Sequence, residues 1–171
     1  MRIALVSLVL LLQLACTGIP KGIEPVDHFE LSRYLGTWYE IARLDHSFER
    51  GLSKVTAEYS LMEDGGVRVI NKGFSNPNQK WKTAEGKAYF VDHKETGHLK
   101  VSFFWPFYGS YVIFKLDETD YQYAFVTSYN KDYLWLLART PTVSDAVIED
   151  FVQTIETHGF NSNDIIFVDQ K

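Results

Sequence analysis

Residue types able to do chemistry are scattered along this 171-residue chain, and few stand together. His93, Glu95 and His98 are close enough in sequence to ligate a metal across a hairpin. The H-E-x-x-H spacing of a helical site is absent, however, and two loop histidines are ordinarily solvated. Asp45-His46-Ser47 holds the residue types of a nucleophilic triad, but successive strand residues point to opposite faces and cannot share one site. Gly73-Phe74-Ser75-Asn76-Pro77 lacks the closing glycine of a nucleophile elbow. No glycine loop that cradles phosphate follows a strand-like run. Glu40 shares a strand face with Trp38, which would bury a carboxylate. The expectation is a protein with no metal and no cofactor, one that binds rather than transforms.

One side chain does point to a covalent modification. Met1-Arg2 supplies positive charge and Ile3 to Leu12 is apolar except at Ser7, the layout of a secretory signal too short to span a membrane. It ends Leu14-Ala15-Cys16, and Cys16, the one cysteine of the chain, stands where a bacterial lipobox is cut and acylated. Gln13 departs from the apolar residue usual in that signal. Several acyl chains on one residue anchor firmly, since each buried CH₂ contributes about 0.8 kcal/mol. Thr17 after the cysteine resembles the pattern sent to the outer membrane. Residues 1–15 are thus expected to be a lipoprotein signal, residues 16–26 a lipidated tether and residues 27–171 one folded domain.

With 17 basic against 22 acidic residues, a net −5, the chain has no basic stripe for nucleic acid. Ten Tyr, twelve Phe and four Trp suit a half-buried sheet or a cavity lined with rings. A single cysteine leaves no intrachain disulfide to close the fold, so packing must hold it.

The elements that would position these residues are strands. Gly18, Pro20, Gly22 and Pro25 keep residues 17–26 out of helix and ladder, which predicts reach. Residues 27–35 predict a short helical turn closing one end. In Lys54–Leu61, Val55, Ala57, Tyr59 and Leu61 fall on one face and Thr56, Glu58 and Ser60 on the other. Asp64-Gly65-Gly66 turns the chain into Val67–Phe74, and Asn76-Pro77-Asn78 turns it again into Lys80–Val91. Ala84, Gly86 and Ala88 predict close packing on that last strand. Leu99–Phe104, Tyr108–Leu116, Tyr121–Thr127 and Tyr133–Arg139 complete eight antiparallel strands in up-and-down order. Val147, Ile148, Phe151, Val152 and Ile155 then recur at helical spacing, with Thr142 as the expected cap and Gly159 as the stop. Such a helix must dock outside the strands. Ile165–Val168 is expected to add an edge strand.

Three islands, Gly36-Thr37-Trp38, Thr119-Asp120-Tyr121 and Arg139-Thr140-Pro141, resemble the signature of the lipocalins. Gly36 through Arg43, Phe48 through Leu52, Glu85 through Phe90, Lys100 through Phe104 and Tyr133 through Leu136 are similar to the bacterial outer-membrane lipocalins, in order, over about residues 29–168. The resemblance implies an all-β, eight-stranded up-and-down β-barrel with a C-terminal helix packed outside. It implies that Arg139 packs across Trp38 at the closed end, with Gly36, Asp120, Tyr121 and Pro141 supporting that end. Tyr133, Trp135, Leu137 and Arg139 share a face, so Trp135 should point inward; Tyr108 is the second expected ligand contact. Trp105 stands where close relatives have glycine. The implied function is a carrier anchored through acylated Cys16 in the outer membrane and facing the periplasm, holding a fatty acid or lysophospholipid for envelope maintenance. A homodimer is plausible by the same resemblance. The other reading is a lipocalin-fold enzyme acting on a hydrophobic substrate, and an integral outer-membrane barrel is opposed by polar faces such as Thr56-Glu58-Ser60.

Overall fold

The structure, a computed structural model, describes residues 17–171; residues 1–15 and Cys16 lie outside the described residues. A four-residue helix α1 (Leu31–Tyr34) leads into β1 (Gly36–Leu44), β2 (Leu52–Leu61), β3 (Val67–Ser75) and β4 (Lys80–Phe90). β5 (His98–Phe104), β6 (Phe107–Leu116), β7 (Tyr123–Thr127) and β8 (Leu134–Ala138) follow, then helix α2 (Asp145–Thr157) and a short β9 (Ile165–Phe167). From β1 to β8 each strand pairs antiparallel with the next, and β1 also pairs with β8, so the sheet closes into a barrel; β9 adds to the edge of β1. Closure leaves an inner and an outer face, which is why strand alternation was so readable in the sequence.

The inner face carries one apolar core, including Trp38, Val67, Val69, Leu99, Ile113, Val126 and Leu137. The outer face of β6–β8 carries a second, where Phe151 and Ile155 of α2 meet Val112, Phe125, Leu134 and Leu136. Phe125 and Phe151 pack edge to face with centroids 5.0 Å apart. Lys115 Nζ on β6 reaches Asp150 Oδ1 on α2 at 2.5 Å. The closed sheet and both cores are built from residues 17–171.

Gly86 confirms the close packing expected of its strand. A Cβ there would stand 2.6 Å from the Ser102 carbonyl oxygen and 2.8 Å from the Phe103 ring. Three expectations shift. The cap of α2 is Ser144 rather than Thr142, its Oγ accepting from Val147 N–H; Gly159 stops the helix as expected, at φ +78°. β7 starts at Tyr123 because Tyr121 sits at φ +54°, outside any strand. Residues 17–26 have less reach than a tether, because the barrel holds part of them. Pro20 and Ile23 are buried, and Val26 joins a backbone ring in which Val26 N–H donates to Ile113, Ile113 N–H to Gly97 and Gly97 N–H to Val26, each at 2.8 Å. Proline and glycine disfavour regular structure, but they do not stop one isoleucine from burying itself in the α2 core.

Candidate functional site

The barrel has a closed and an open end. At the closed end Trp38 is fully buried, and its Nε1 donates to the Tyr34 carbonyl at 2.8 Å. The Arg139 guanidinium lies 4.0 Å above the indole centroid, as the resemblance implied. It also donates to three carbonyls, those of Thr37, Arg33 and Tyr121. Gly36 adopts φ +96°, a conformation glycine takes without strain, where the chain enters β1. Tyr121 is buried, and its hydroxyl accepts from Glu30 N–H at 3.1 Å. Asp120 takes part through its carbonyl, which accepts from the Gln122 amide; the carboxylate that organises this turn is Asp117, accepting from Thr119 and Gln122 N–H. Pro141 is exposed just past β8, on the way to α2.

Above this floor lies a cavity of about 570 Å³, lined chiefly by apolar side chains of β2, β3, β5, β6 and β8. Its lower part holds three tyrosine hydroxyls that sequence reasoning did not single out. Tyr111 Oη meets Tyr34 Oη at 2.8 Å and Tyr59 Oη at 2.9 Å. Burial pushes all three hydroxyls above their ordinary range and keeps them protonated. They form the polar patch in an otherwise greasy floor. Nothing in a strand pattern announces it, because the three residues come from α1, β2 and β6.

Trp135 and Leu137 face inward, while Leu134, Leu136 and Ala138 face α2 or the outer wall, which bears out the inward register read from Arg139. Tyr133 stacks on Trp135 at 6.1 Å and on Phe48 at 6.5 Å. Tyr108, the second expected contact, is among the residues that border the cavity. It sits at the cavity rim, but Lys100 Nζ covers its ring at 5.3 Å, and Lys100 pairs with Ser110 on the outer side of β6. Up to the irregularity after Ile113, the β6 residues Gly109, Tyr111 and Ile113 face in, since successive strand residues alternate.

The upper wall holds a buried polar cluster. Glu40 and Arg43 form an ion pair at 2.6 Å with both side chains nearly sealed from solvent. Arg43 Nη2 also donates to the carbonyls of Glu49 and Leu52. Glu49 Oε2 accepts from Trp135 Nε1 at 3.0 Å and lies 2.9 Å from His46 Nε2. Burial, with the Glu49 charge added, raises the Glu40 carboxyl well above the usual range despite Arg43. Burial also opposes ionisation of Glu49, but hydrogen bonds from His46 and Trp135 outweigh it and hold that carboxyl low. Burial and the Glu49 charge thus favour the protonated form of Glu40, and Arg43 opposes them. Glu40, His46 and Glu49 all border the cavity.

The other residues with chemical potential disperse. Asp45 pairs with Arg50 on the surface while His46 turns inward, so no triad forms. His98 packs on the outer wall with Nε2 2.8 Å from Ser110 Oγ, and burial lowers its pKa. Glu95 bonds through its carbonyl to Phe29 N–H, and no cluster of three metal-ligating side chains exists among the described residues.

A closed eight-stranded calyx with an aromatic-arginine floor and one apolar cavity is the architecture of a ligand-binding barrel. Residues 29–170 match the model of the lipocalin-like domain, and the chain belongs to that family. It is 56% identical over 156 residues to an outer membrane lipoprotein Blc of Vibrio cholerae, covering 91% of each chain. It is 51% identical to the outer membrane lipoprotein Blc of Escherichia coli, covering 88% of this chain and 85% of that one. The same fold is found in the cockroach allergen Per a 4, with a TM-score of 0.69 at 21% identity, covering 91% and 96%. The chain is thus a lipocalin of the bacterial outer-membrane lipoprotein type, and lipocalins are binding proteins for hydrophobic ligands rather than enzymes.

Proposed function

We propose that this lipocalin holds a fatty acid or lysophospholipid at the outer membrane, anchored through acylated Cys16 and facing the periplasm, and that it stores or moves such lipids for envelope maintenance under stress. The observation that carries the reading is the cavity itself. Its volume falls within the range of about 300–1,000 Å³ typical of small-molecule sites. Its lower walls are aliphatic and aromatic, which suits an acyl chain. Besides the tyrosine hydroxyls of the floor, its polar groups lie at the upper wall around Glu40, His46 and Glu49, where a head group near the open end would find partners. Trp135 stands between these two environments, with its ring toward the apolar wall and its N–H on Glu49. Tyr108, at the rim, would meet the ligand at its exposed end. The test is mass spectrometry of lipid that co-purifies with the domain, together with a tryptophan-quenching titration using lysophospholipid. Saturable, stoichiometric quenching with the lipid recovered intact supports a carrier; absence of quenching, or turnover of the lipid, would overturn it.

A further inference from the structure

The three hydroxyls at the cavity floor carry one more proton than their contacts use. Tyr111 Oη meets Tyr34 Oη at 2.8 Å and Tyr59 Oη at 2.9 Å, and among the described residues no other group bonds to these oxygens. Each neutral phenol has one proton to donate. Three protons enter two contacts, so one is left over whichever way the bonds run. It belongs to Tyr34 or Tyr59 if the bonds run head to tail, and to Tyr111 if both neighbours donate to it. The phenol oxygens also keep free lone pairs, so the group can accept as well as donate.

The rings that carry these hydroxyls are held in place. Tyr34 packs on Trp38, Phe29 and Tyr59 with centroids 4.6, 5.2 and 5.5 Å apart, and Tyr59 meets Tyr111 edge-on at 6.1 Å. All three tyrosines border the cavity. The inner core about them, with Phe29, Val67, Val69, Leu99 and Val126, offers the spare proton no side-chain acceptor.

A buried donor without an acceptor is costly, and an apolar chain laid over it would leave it so. An oxygen on the ligand removes that cost. A charged oxygen does not suit the place. Burial holds all three phenols in the protonated form, and the Glu49 charge of the upper wall acts on Tyr59 in the same sense. A carboxylate at the floor would meet the same burial and the same charge. Arg139 offers it little, because its guanidinium is stacked on Trp38 and donates to three backbone carbonyls.

We propose that the tyrosine floor is a subsite for a neutral oxygen borne on the acyl chain, so that the cavity selects hydroxylated acyl chains over plain ones. The chain hydroxyl accepts the spare phenolic proton and donates to a neighbouring phenol oxygen. This specificity rests on the carrier reading and adds to it the class of chain that is carried.

Calorimetric titration of residues 17–171 with stearic, 2-hydroxystearic and 12-hydroxystearic acids reads the Kd of each. The two hydroxy acids are isomers: one keeps its hydroxyl beside the carboxyl group, and the other carries it down the chain. The parent should bind 12-hydroxystearic acid at least as tightly as stearic acid. Tyr34→Phe/Tyr59→Phe/Tyr111→Phe keeps every ring and removes the whole network, so it should fold with a urea midpoint near that of the parent. This variant should bind 12-hydroxystearic acid about tenfold more weakly than stearic acid, since the hydroxyl then has no partner. It should gain about threefold for stearic acid, whose chain no longer strands a proton. A parent that binds the 12-hydroxy isomer about tenfold more weakly than the 2-hydroxy isomer would overturn the proposal whether or not the variant folds. So would an equal preference in parent and variant. A variant that loses affinity for stearic acid would put the carboxyl group at the floor and overturn it too. If no acid and no lysophospholipid binds, the carrier reading falls and the subsite with it; binding without the expected preference strikes the subsite alone.

Discussion

Glu40 and Arg43 face each other inside the barrel at 2.6 Å, although an even and an odd position on one regular strand point to opposite faces. A bulge in β1 makes the contact possible. Glu40 pairs with Leu137 and Ala42 with Leu136, so Ile41 is the extra residue. Ile41 and Ala42 both turn to the outer core, which returns Arg43 to the inside. The C-terminal segment braces the bulge: Val168 N–H donates to the Ile41 carbonyl, and Gln170 Nε2 bridges the carbonyls of Glu40 and Val55.

The raised carboxyl of Glu40 gives the stability of the fold a pH dependence of defined sign. Its carboxyl is raised in the folded state, so its contribution is complete below the unfolded value of about 4.3 and is lost as pH rises through the folded value. Glu49, held low, acts in the opposite sense and contributes above that unfolded value. Glu40→Gln removes only the first effect. Urea midpoints measured from pH 4 to 8 should show the parent losing stability relative to Glu40→Gln as pH rises; parallel curves would refute a raised Glu40 carboxyl.

Arg43 balances the remaining buried charge. Arg43→Met should cost about 3–5 kcal/mol, the usual result of stranding a buried carboxylate. The double variant Glu40→Leu/Arg43→Met should recover part of that loss. Chemical denaturation of the three proteins reads both effects.

Arg139→Ala should loosen the floor without touching the ligand. It removes the contact over Trp38 and three bonds to carbonyls, a loss of about 2–3 kcal/mol. The thermal midpoint should fall while the lysophospholipid Kd stays within about threefold. A large change in Kd with an unchanged midpoint would contradict a structural role.

Filling the cavity should separate binding from folding. Ala88 is buried on the inner wall, and Ala88→Phe projects a ring into the open volume. Ligand affinity should drop at least about tenfold, with the urea midpoint equal to or above that of the parent. Undiminished binding would place the ligand elsewhere.

The proposed anchor predicts a change of compartment. Cys16→Ser should release the protein from the membrane fraction. Retention of that variant would show that Cys16 is not the sole tether.

Much of the barrel was legible because strand information is local. The alternation of Val55, Ala57 and Tyr59, the turn at Gly65 and the small residues around Gly86 each need only neighbouring positions to be read. The inward register of Trp135 followed from counting back from Arg139 by twos, and it held because β8 has no bulge between them. Tyr108 follows from its aromatic segment and from the resemblance rather than from counting, and it borders the cavity at its rim. Counting cannot find the Glu40–Arg43 pair, because one inserted residue breaks the period.

By itself the sequence determined the number and order of strands, the outer helix and, through its resemblance to lipocalins, the Trp38–Arg139 floor. Those features follow from two-residue and helical periodicities and from short motifs that survive in one dimension. Tertiary structure alone decided which polar groups meet in the barrel. Closure brings the hydroxyls of Tyr34, Tyr59 and Tyr111 together, the bulge at Ile41 sets Arg43 against Glu40, and the up-and-down path collects Phe48, Trp81 and Trp105 around one mouth. The physical reason is distance: these groups come from different strands, and only a closed sheet makes them neighbours.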